Sequence, residues 1–391
     1  MKFAALVFMI LFPAVISAQE KDPQAVKEQA VADTRVQTGE SSAANEDGSP
    51  AVTENGAKPA VNWNTSAQTA QRSKPSKAVK DIKRPTIEGS MVGYVDNAII
   101  GSQVRIRFDA AFNDPFPDRA EFFYAKCSCY RLLGGAGPPL SLAADPNASG
   151  PGPGIPTTIN YQQLYMQAEY APVSRFSVFT QVPIRWLQPQ GFKPTPFAPF
   201  GNESGLSDVQ AGFKVAALVS SSHELTFQFR AYFPSGDSSK GLGTNHYSVE
   251  PSLLYYQKLS SRWAVEGQLT YWHPIGGSAG VPVGNSEGYA GDIVNYGIGP
   301  SYRLINRENF RLAPVVELVG WKVLGGFETA GGHIDLDDAA AEVSNINIVN
   351  IKVGARASFG RHNSVYAGYG RAVTFSDWYR NLMRIEYRYS F

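Results

Sequence analysis

Met383-Arg384-Ile385-Glu386-Tyr387-Arg388-Tyr389-Ser390-Phe391 reads as two interleaved sets of residues. Met383, Ile385, Tyr387, Tyr389 and Phe391 are apolar or aromatic, while Arg384, Glu386, Arg388 and Ser390 are charged or polar. Successive side chains of a strand point to opposite faces, so this stretch predicts a strand with one greasy face and one charged face. The same period of two recurs upstream. Val104, Ile106, Phe108 and Ala110 oppose Gln103, Arg105, Arg107 and Asp109. Leu225, Phe227, Phe229 and Phe233 oppose Thr226, Gln228 and Arg230, and Val349, Ile351 and Val353 oppose Asn350 and Lys352. Further segments lie at 161–170, 176–186, 208–217, 247–257, 263–272, 294–304, 310–323 and 364–373. That makes about twelve, each near the ~10 residues that a tilted strand needs to cross a bilayer.

Soluble sandwiches alternate as well, so the connections decide. Short polar turns at 171–175, 220–224, 258–262, 305–309 and 360–364 take turns with longer connections at 113–158, 187–206, 234–246, 273–290 and 325–345. A membrane barrel shows this regular exchange of short periplasmic turns and long outer loops. Aromatics band accordingly. Tyr170, Phe176, Tyr255, Trp263, Tyr302, Phe310, Phe359 and Phe391 stand beside the short turns, and Phe112, Trp186, Phe233, Tyr271 and Trp321 stand at the opposite ends. These are the expected interfacial girdles. The fold class is all-β: a transmembrane antiparallel up-and-down barrel of about twelve strands over 103–391.

The segments before the barrel differ in kind. Met1-Lys2, the apolar run 3–16 and the small residues at Ser17-Ala18 form a signal peptide over 1–18. Residues 19–85 are rich in Ala, Gln, Ser, Lys and Glu with Trp63 as their one aromatic, too polar to bury a core, and are read as a disordered periplasmic arm. Residues 86–102 (Ile87, Met91, Val92, Tyr94, Val95, Ile99, Ile100) are apolar and precede the first strand, which suits either a plug in the lumen or a segment packed at the barrel mouth. A formal net charge of +1 argues against a nucleic-acid partner.

The run Gly205-Leu206-Ser207-Asp208-Val209-Gln210-Ala211-Gly212-Phe213-Lys214, followed by Arg230-Ala231-Tyr232-Phe233-Pro234-Ser235-Gly236 and the glycine-rich Lys240-Gly241-Leu242-Gly243, resembles the outer-membrane channel family named for the MetA pathway of phenol degradation. The likeness is best over about 200–275. Gly93–Ala98 through Asp118–Lys126 resembles the entry of related planctomycete-type outer-membrane proteins. The family resemblance implies a channel for small, often aromatic or hydrophobic molecules, and it supplies no catalytic residues.

Chemistry-bearing motifs are sparse. Of the five histidines, His246 in His246-Tyr247-Ser248 comes nearest to a serine–base pair, but it lacks the surrounding pattern of barrel phospholipases; His223 and His362 lie in short turns. No enzyme activity, catalytic residue or cofactor is expected. Cys127 and Cys129 are too close in sequence for an unstrained disulfide. His333, Asp335, Asp337 and Asp338 lack the rest of a calcium-loop pattern, and Gly134–Gly137 lacks the Lys-Ser/Thr of a phosphate cradle, so no metal site is assigned.

Function is therefore sought in the lumen. The charged face supplies Arg105, Arg107, Arg185, Lys214, Arg230, Arg303, Arg311, Lys352, Arg356, Arg384 and Arg388, against Asp109, Glu169, Asp208, Glu250, Glu266, Glu317 and Glu386. Salt-bridge ladders bracing a narrow wall are one use for them. A weakly anion-selective pore, most positive where Arg105, Arg107, Arg384 and Arg388 meet at closure, is another. The expected placement is the bacterial outer membrane, the expected partners are its lipids, the barrel-assembly machinery and a small solute, and Tyr387, Tyr389 and Phe391 form the expected assembly signal. Passage of small solutes competes with a non-conducting barrel whose outer loops bind partners.

Overall fold

A computed structural model describes residues 84–391 apart from 136, 138–140, 142–143, 195–196, 279, 281–287, 330–339 and 375–376. The signal peptide, nearly all of the arm and the acidic cluster His333–Asp338 lie outside the described residues.

Twelve long strands form the wall: β1 Gln103–Asp114, β2 Pro156–Val173, β3 Phe176–Phe192, β4 Val209–Val219, β5 His223–Phe233, β6 Tyr247–Lys258, β7 Trp263–Ile275, β8 Ile293–Tyr302, β9 Phe310–Val323, β10 Asn347–Phe359, β11 Asn363–Ala372 and β12 Asn381–Ser390. Each pairs antiparallel with the next, and β12 pairs with β1, which closes the sheet and leaves no open edge. At the seam Arg105 stands opposite Arg388, Arg107 opposite Glu386 and Asp109 opposite Arg384.

Polarity runs inside out. Ile106 is 44% exposed and Ile385 58%, whereas Glu386 between such neighbours is 1% exposed. Apolar side chains thus meet the surroundings and charged ones the interior, the reverse of a soluble sandwich. Only a closed barrel or a helix satisfies its backbone in lipid. No helix among the described residues is long and apolar enough to cross a membrane. The strands cross it instead.

Trp186, Phe233 and Tyr271 are exposed at the outer rim, and Tyr170, Trp263, Phe359 and Phe391 at the periplasmic rim, as girdle residues should be. Trp321 is a correction. It sits on the inward face of β9 at 7% exposure, packed edge-on against Trp378 and Tyr379. Beyond Glu317 the inward residues of β9, Val319 and Val323 beside Trp321, are buried and apolar, while Gly320 and Lys322 alternate with them, so hydropathy misassigned the faces at that end.

The first long connection folds over the outer mouth. Arg119 pairs with Glu328 at 2.6 Å and the Asp118 carboxylate accepts from Thr329, tying this roof to the short strand Phe327–Thr329, while Lys126 and Asp145 pair within the roof at 3.3 Å. Burial raises the carboxyls of Asp118 and Glu121 and lowers the Lys126 ammonium, so each charged form is held against a desolvation cost. Cys127 and Cys129 are free thiols buried in the roof. Gly134 and Gly135, read as loop, end the 3-10 segment Ser128–Gly135.

Candidate functional site: the plugged lumen and its chamber

Residues Arg84–Ser102 lie inside the barrel as a loop. Arg84 donates to Glu224 at 2.6 Å and the Ile100 N–H donates to the same carboxylate at 3.1 Å, so entry and exit meet near the periplasmic end of β5. Midway, Asp96 reaches Arg230, further up the same strand, at 2.7 Å. Thr226, between them, donates to the Ala98 carbonyl at 2.6 Å. The segment therefore rises to about Tyr94–Asp96 and returns to begin β1.

Charged wall residues hold the plug by its main chain. Glu266 accepts the N–H groups of Met91 and Val92 at 2.9 and 3.4 Å. Glu317 accepts those of Gly93, Tyr94 and Val95 at 3.1, 2.9 and 2.8 Å. Guanidinium groups take the carbonyls: Arg303 that of Gly89, Arg388 that of Ser90, Arg356 those of Met91 and Val92, and Arg384 that of Gly93 at 2.6 Å. A buried chain outside any ladder must satisfy its polar groups somewhere, and buried carboxylates need donors as much. Each supplies the other with charge-assisted bonds.

Packing adds shape. A Cβ on Gly93 would lie 2.2 Å from the Tyr366 ring, whose hydroxyl donates to Glu317 at 3.2 Å, so only glycine fits there. Burial would raise the Asp96 carboxyl, but Arg230, Arg105 and Lys214 outweigh it and hold the group well below the usual carboxylate range.

Above the plug lies a chamber of about 210 Å³. Tyr94 and Asp96 face it from the plug, Tyr165, Tyr232 and Lys352 from the wall, and Phe122, Phe123, Trp378 and Tyr379 from the loops. Phe122 stacks on Trp378 at 4.7 Å between centroids and meets Trp272 edge-on at 5.3 Å. Four cations line the space (Arg107, Arg230, Lys352, Arg384), with the carboxylates Asp96, Asp109, Asp114 and Glu250.

The other charged-face residues brace the wall and the loops. Glu169 gathers Gln103, Ser177 and Lys214 at 2.8, 2.7 and 3.1 Å, and Lys214 also donates to the Asn97 carbonyl at 3.1 Å. Arg185 donates to the Phe123 carbonyl at 2.9 Å and so anchors the roof. Arg105 bonds Gln167 and stands 3.7 Å from Glu386, which also pairs with Arg356 at 2.8 Å and Arg388 at 3.3 Å. Glu250 pairs with Arg230 at 2.9 Å, and Arg311 is half-buried. The seam expected to be most positive is thus largely committed to partners: Arg384 lies on both oxygens of Asp109 and on the plug, and Arg388 on Glu386 and the plug.

His246 is buried. Its Nδ1 lies 3.0 Å from the Tyr247 carbonyl and 3.2 Å from Ser248 Oγ, and its Nε2 lies 3.7 Å from Glu121. Neither His246 nor Ser248 lines the chamber; the ring pins the roof to β6.

Residues 156–273, from β2 to β7, match the family described as "Putative MetA-pathway of phenol degradation". Over that stretch the chain is similar to this family. The MetA-pathway match starts well before the motif at Gly205–Lys214, and the plug lies outside it. Within the match, the family motif has a structural task. Asp208 accepts the N–H groups of Gly236 and Thr244 at 3.1 and 2.8 Å and the Thr244 hydroxyl at 2.8 Å. Asp208, expected to line the lumen, is spent on clamping the loop after β5. No curated protein matches the sequence. Among solved structures, an outer membrane channel from Pseudomonas putida F1 is similar at 15% identity and TM-score 0.44, over 77% of this chain and 99% of that one. The beta domain of the Bordetella autotransporter BrkA is similar at 11% identity and TM-score 0.42, over 75% and 100%. The KdgM porin is similar at 9% identity and TM-score 0.33, over 74% and 99%. The chain forms a closed antiparallel β-barrel with an apolar outer face.

Proposed function

We propose that this barrel is a gated channel through which small, aromatic or hydrophobic solutes cross the outer membrane, with Arg84–Ser102 as its plug. The observation that carries the reading is the aromatic chamber placed directly above the plug, in line with the lumen. A solute entering between the roof loops meets the rings of Phe122, Phe123, Tyr165 and Trp378 first, and the plug apex at Tyr94 next. Aromatic rings set beside charged and polar groups give the chamber both contact area and orienting contacts for a small molecule. Passage then requires the plug to leave its wall contacts. Transport without catalysis fits the placement of His246 and Ser248, which clamp a loop and do not face the chamber.

Deleting residues 86–100 tests this. The deleted protein should keep the heat-shifted gel mobility of a closed barrel and should admit small solutes in liposome swelling, whereas the full chain admits far less. A folded but impermeable deletion would favour a barrel that only displays its loops.

A further inference from the structure

The chamber's charges are unevenly spent. On the side formed by β1, β10 and β12 stand Arg107, Lys352 and Arg384, with Asp109 among them and Asp114 further along β1. Arg384 covers both oxygens of Asp109 at 2.7 Å and donates its remaining amino group to the Gly93 carbonyl at 2.6 Å. Arg107 is left with a 3.6 Å approach to Asp109, too long for a hydrogen bond, and its guanidinium lies 3.8 Å above the Tyr165 ring. Its Nε is buried with no hydrogen-bond partner, and so is the hydroxyl of Tyr94. Lys352 donates to the Tyr379 hydroxyl at 2.9 Å and sits 4.1 Å over the Tyr94 ring and 5.3 Å from that of Trp321. Glu317 stands opposite Lys352 in the ladder but is committed to the plug N–H groups, and no salt bridge to Lys352 forms among the described residues. Across the chamber the balance differs: Arg230 answers both Asp96 and Glu250, at 2.7 and 2.9 Å.

Lys352, 3% exposed and without a salt bridge, and Arg107, which shares Asp109 with the better-placed Arg384, are costly in a buried space unless a further anion joins them. Rings alone repay part of that cost, since cation–π contacts are worth about 0.5–2 kcal/mol. The size of the space narrows the choice. A cavity of ~150 Å³ holds benzene, and this one is about 210 Å³, which leaves room for one further small group.

We infer that the chamber binds a monocyclic aromatic carboxylate, its anionic group at Lys352 and Arg107 and its ring among Tyr94, Tyr165 and Trp321. The inference rests on the channel reading for calling the bound molecule a solute in transit, and on the chamber alone for its chemistry. The carboxylate accepts from the Lys352 ammonium, from the free edge of Arg107 and from the Tyr94 hydroxyl. The ring replaces water against aromatic faces. A neutral molecule of the same shape would gain the second contribution and leave the cations as they are, so charge is the discriminating feature.

Sodium benzoate and benzyl alcohol are the probes, added to the folded full chain in detergent at constant ionic strength. Calorimetry, with tryptophan fluorescence as a second readout through Trp321 and Trp378, should show saturable benzoate binding at least tenfold tighter than benzyl alcohol, with acetate competing weakly. Lys352→Met and Arg107→Gln, each verified by heat-shifted mobility, should each weaken benzoate tenfold or more and leave benzyl alcohol nearly unchanged. Equal affinity for the two probes, no saturable benzoate binding, or wild-type binding by both folded variants would overturn the proposal. Because binding is read without any current, conduction by the plug deletion with no benzoate binding refutes this inference alone. Benzoate binding in a barrel that never conducts sustains the site and refutes the channel.

Discussion

Glu317→Ala should turn a quiet barrel into one that carries sustained current in a planar bilayer. Glu317 is fully buried and accepts three consecutive plug N–H groups together with the Tyr366 hydroxyl. Hydrogen bonds to a charged group are worth about 1.5–3 kcal/mol each, and the alanine variant strands every donor at once. Even if water entering the cavity restores half of the loss, about 4 kcal/mol remains, or roughly a thousandfold in the balance between seated and released plug. Glu317→Gln keeps two acceptor lone pairs and drops the charge, so its currents should fall between those of the wild type and of the alanine variant. Both variants leave the outward face and the seam intact, and both should retain heat-shifted mobility. Silent, folded Glu317→Ala would mean that the plug is held by packing, through Gly93 on Tyr366 and Met91 and Val92 in the core, rather than by this carboxylate.

Removal of Phe391 should abolish most surface assembly in cells while leaving refolding into detergent intact. Phe391 is 64% exposed beyond the end of β12, stacks on Tyr389 at 6.2 Å and donates its N–H to the Ser102 carbonyl at 3.1 Å. The seam pairing runs from Phe112–Asn381 to Gln103–Ser390, so the ladder survives the truncation and the barrel can still close. What is lost is an exposed aromatic at the terminus, which Tyr387 and Tyr389 continue along the same face. Periplasmic accumulation or degradation of the truncated chain, beside normal refolding of the purified protein, is the expected pair of results. Normal assembly in cells would remove the signal role from Phe391.

The wall was legible because a single-layer barrel writes its two environments into alternate residues. Met383 to Phe391 against Arg384 to Ser390 fixes both a strand and its orientation, and closure of β12 on β1 follows from the exposed-edge argument. Trp321 was misplaced for the converse reason: near the outer end of β9 the inward residues Val319 and Val323 are apolar while Gly320 and Lys322 face outward, so the usual alternation is inverted there. The plug could be suspected from the apolar residues of 86–102, but its seat could not be read. Its N–H and C=O groups carry no side-chain signature, and the residues that catch them lie in β5, β7, β9, β10 and β12, more than 120 positions away along the chain. Glu266 and Glu317 therefore looked like half of a wall ladder, and the chamber charges looked shared out when Lys352 and Arg107 were not.

Locking the plug to the wall gives the most direct test of the claim that its movement opens the lumen. A Cβ on Gly297 of β8 would lie 2.9 Å from Val95 Cγ2, close enough to place a disulfide between Val95→Cys and Gly297→Cys. The pair is introduced into the Glu317→Ala protein with Cys127 and Cys129 replaced by alanine, and cross-linking is verified by mass. Current should vanish on oxidation and return when the bond is reduced, within one membrane and one protein population. Undiminished current through the fully cross-linked barrel would contradict the account.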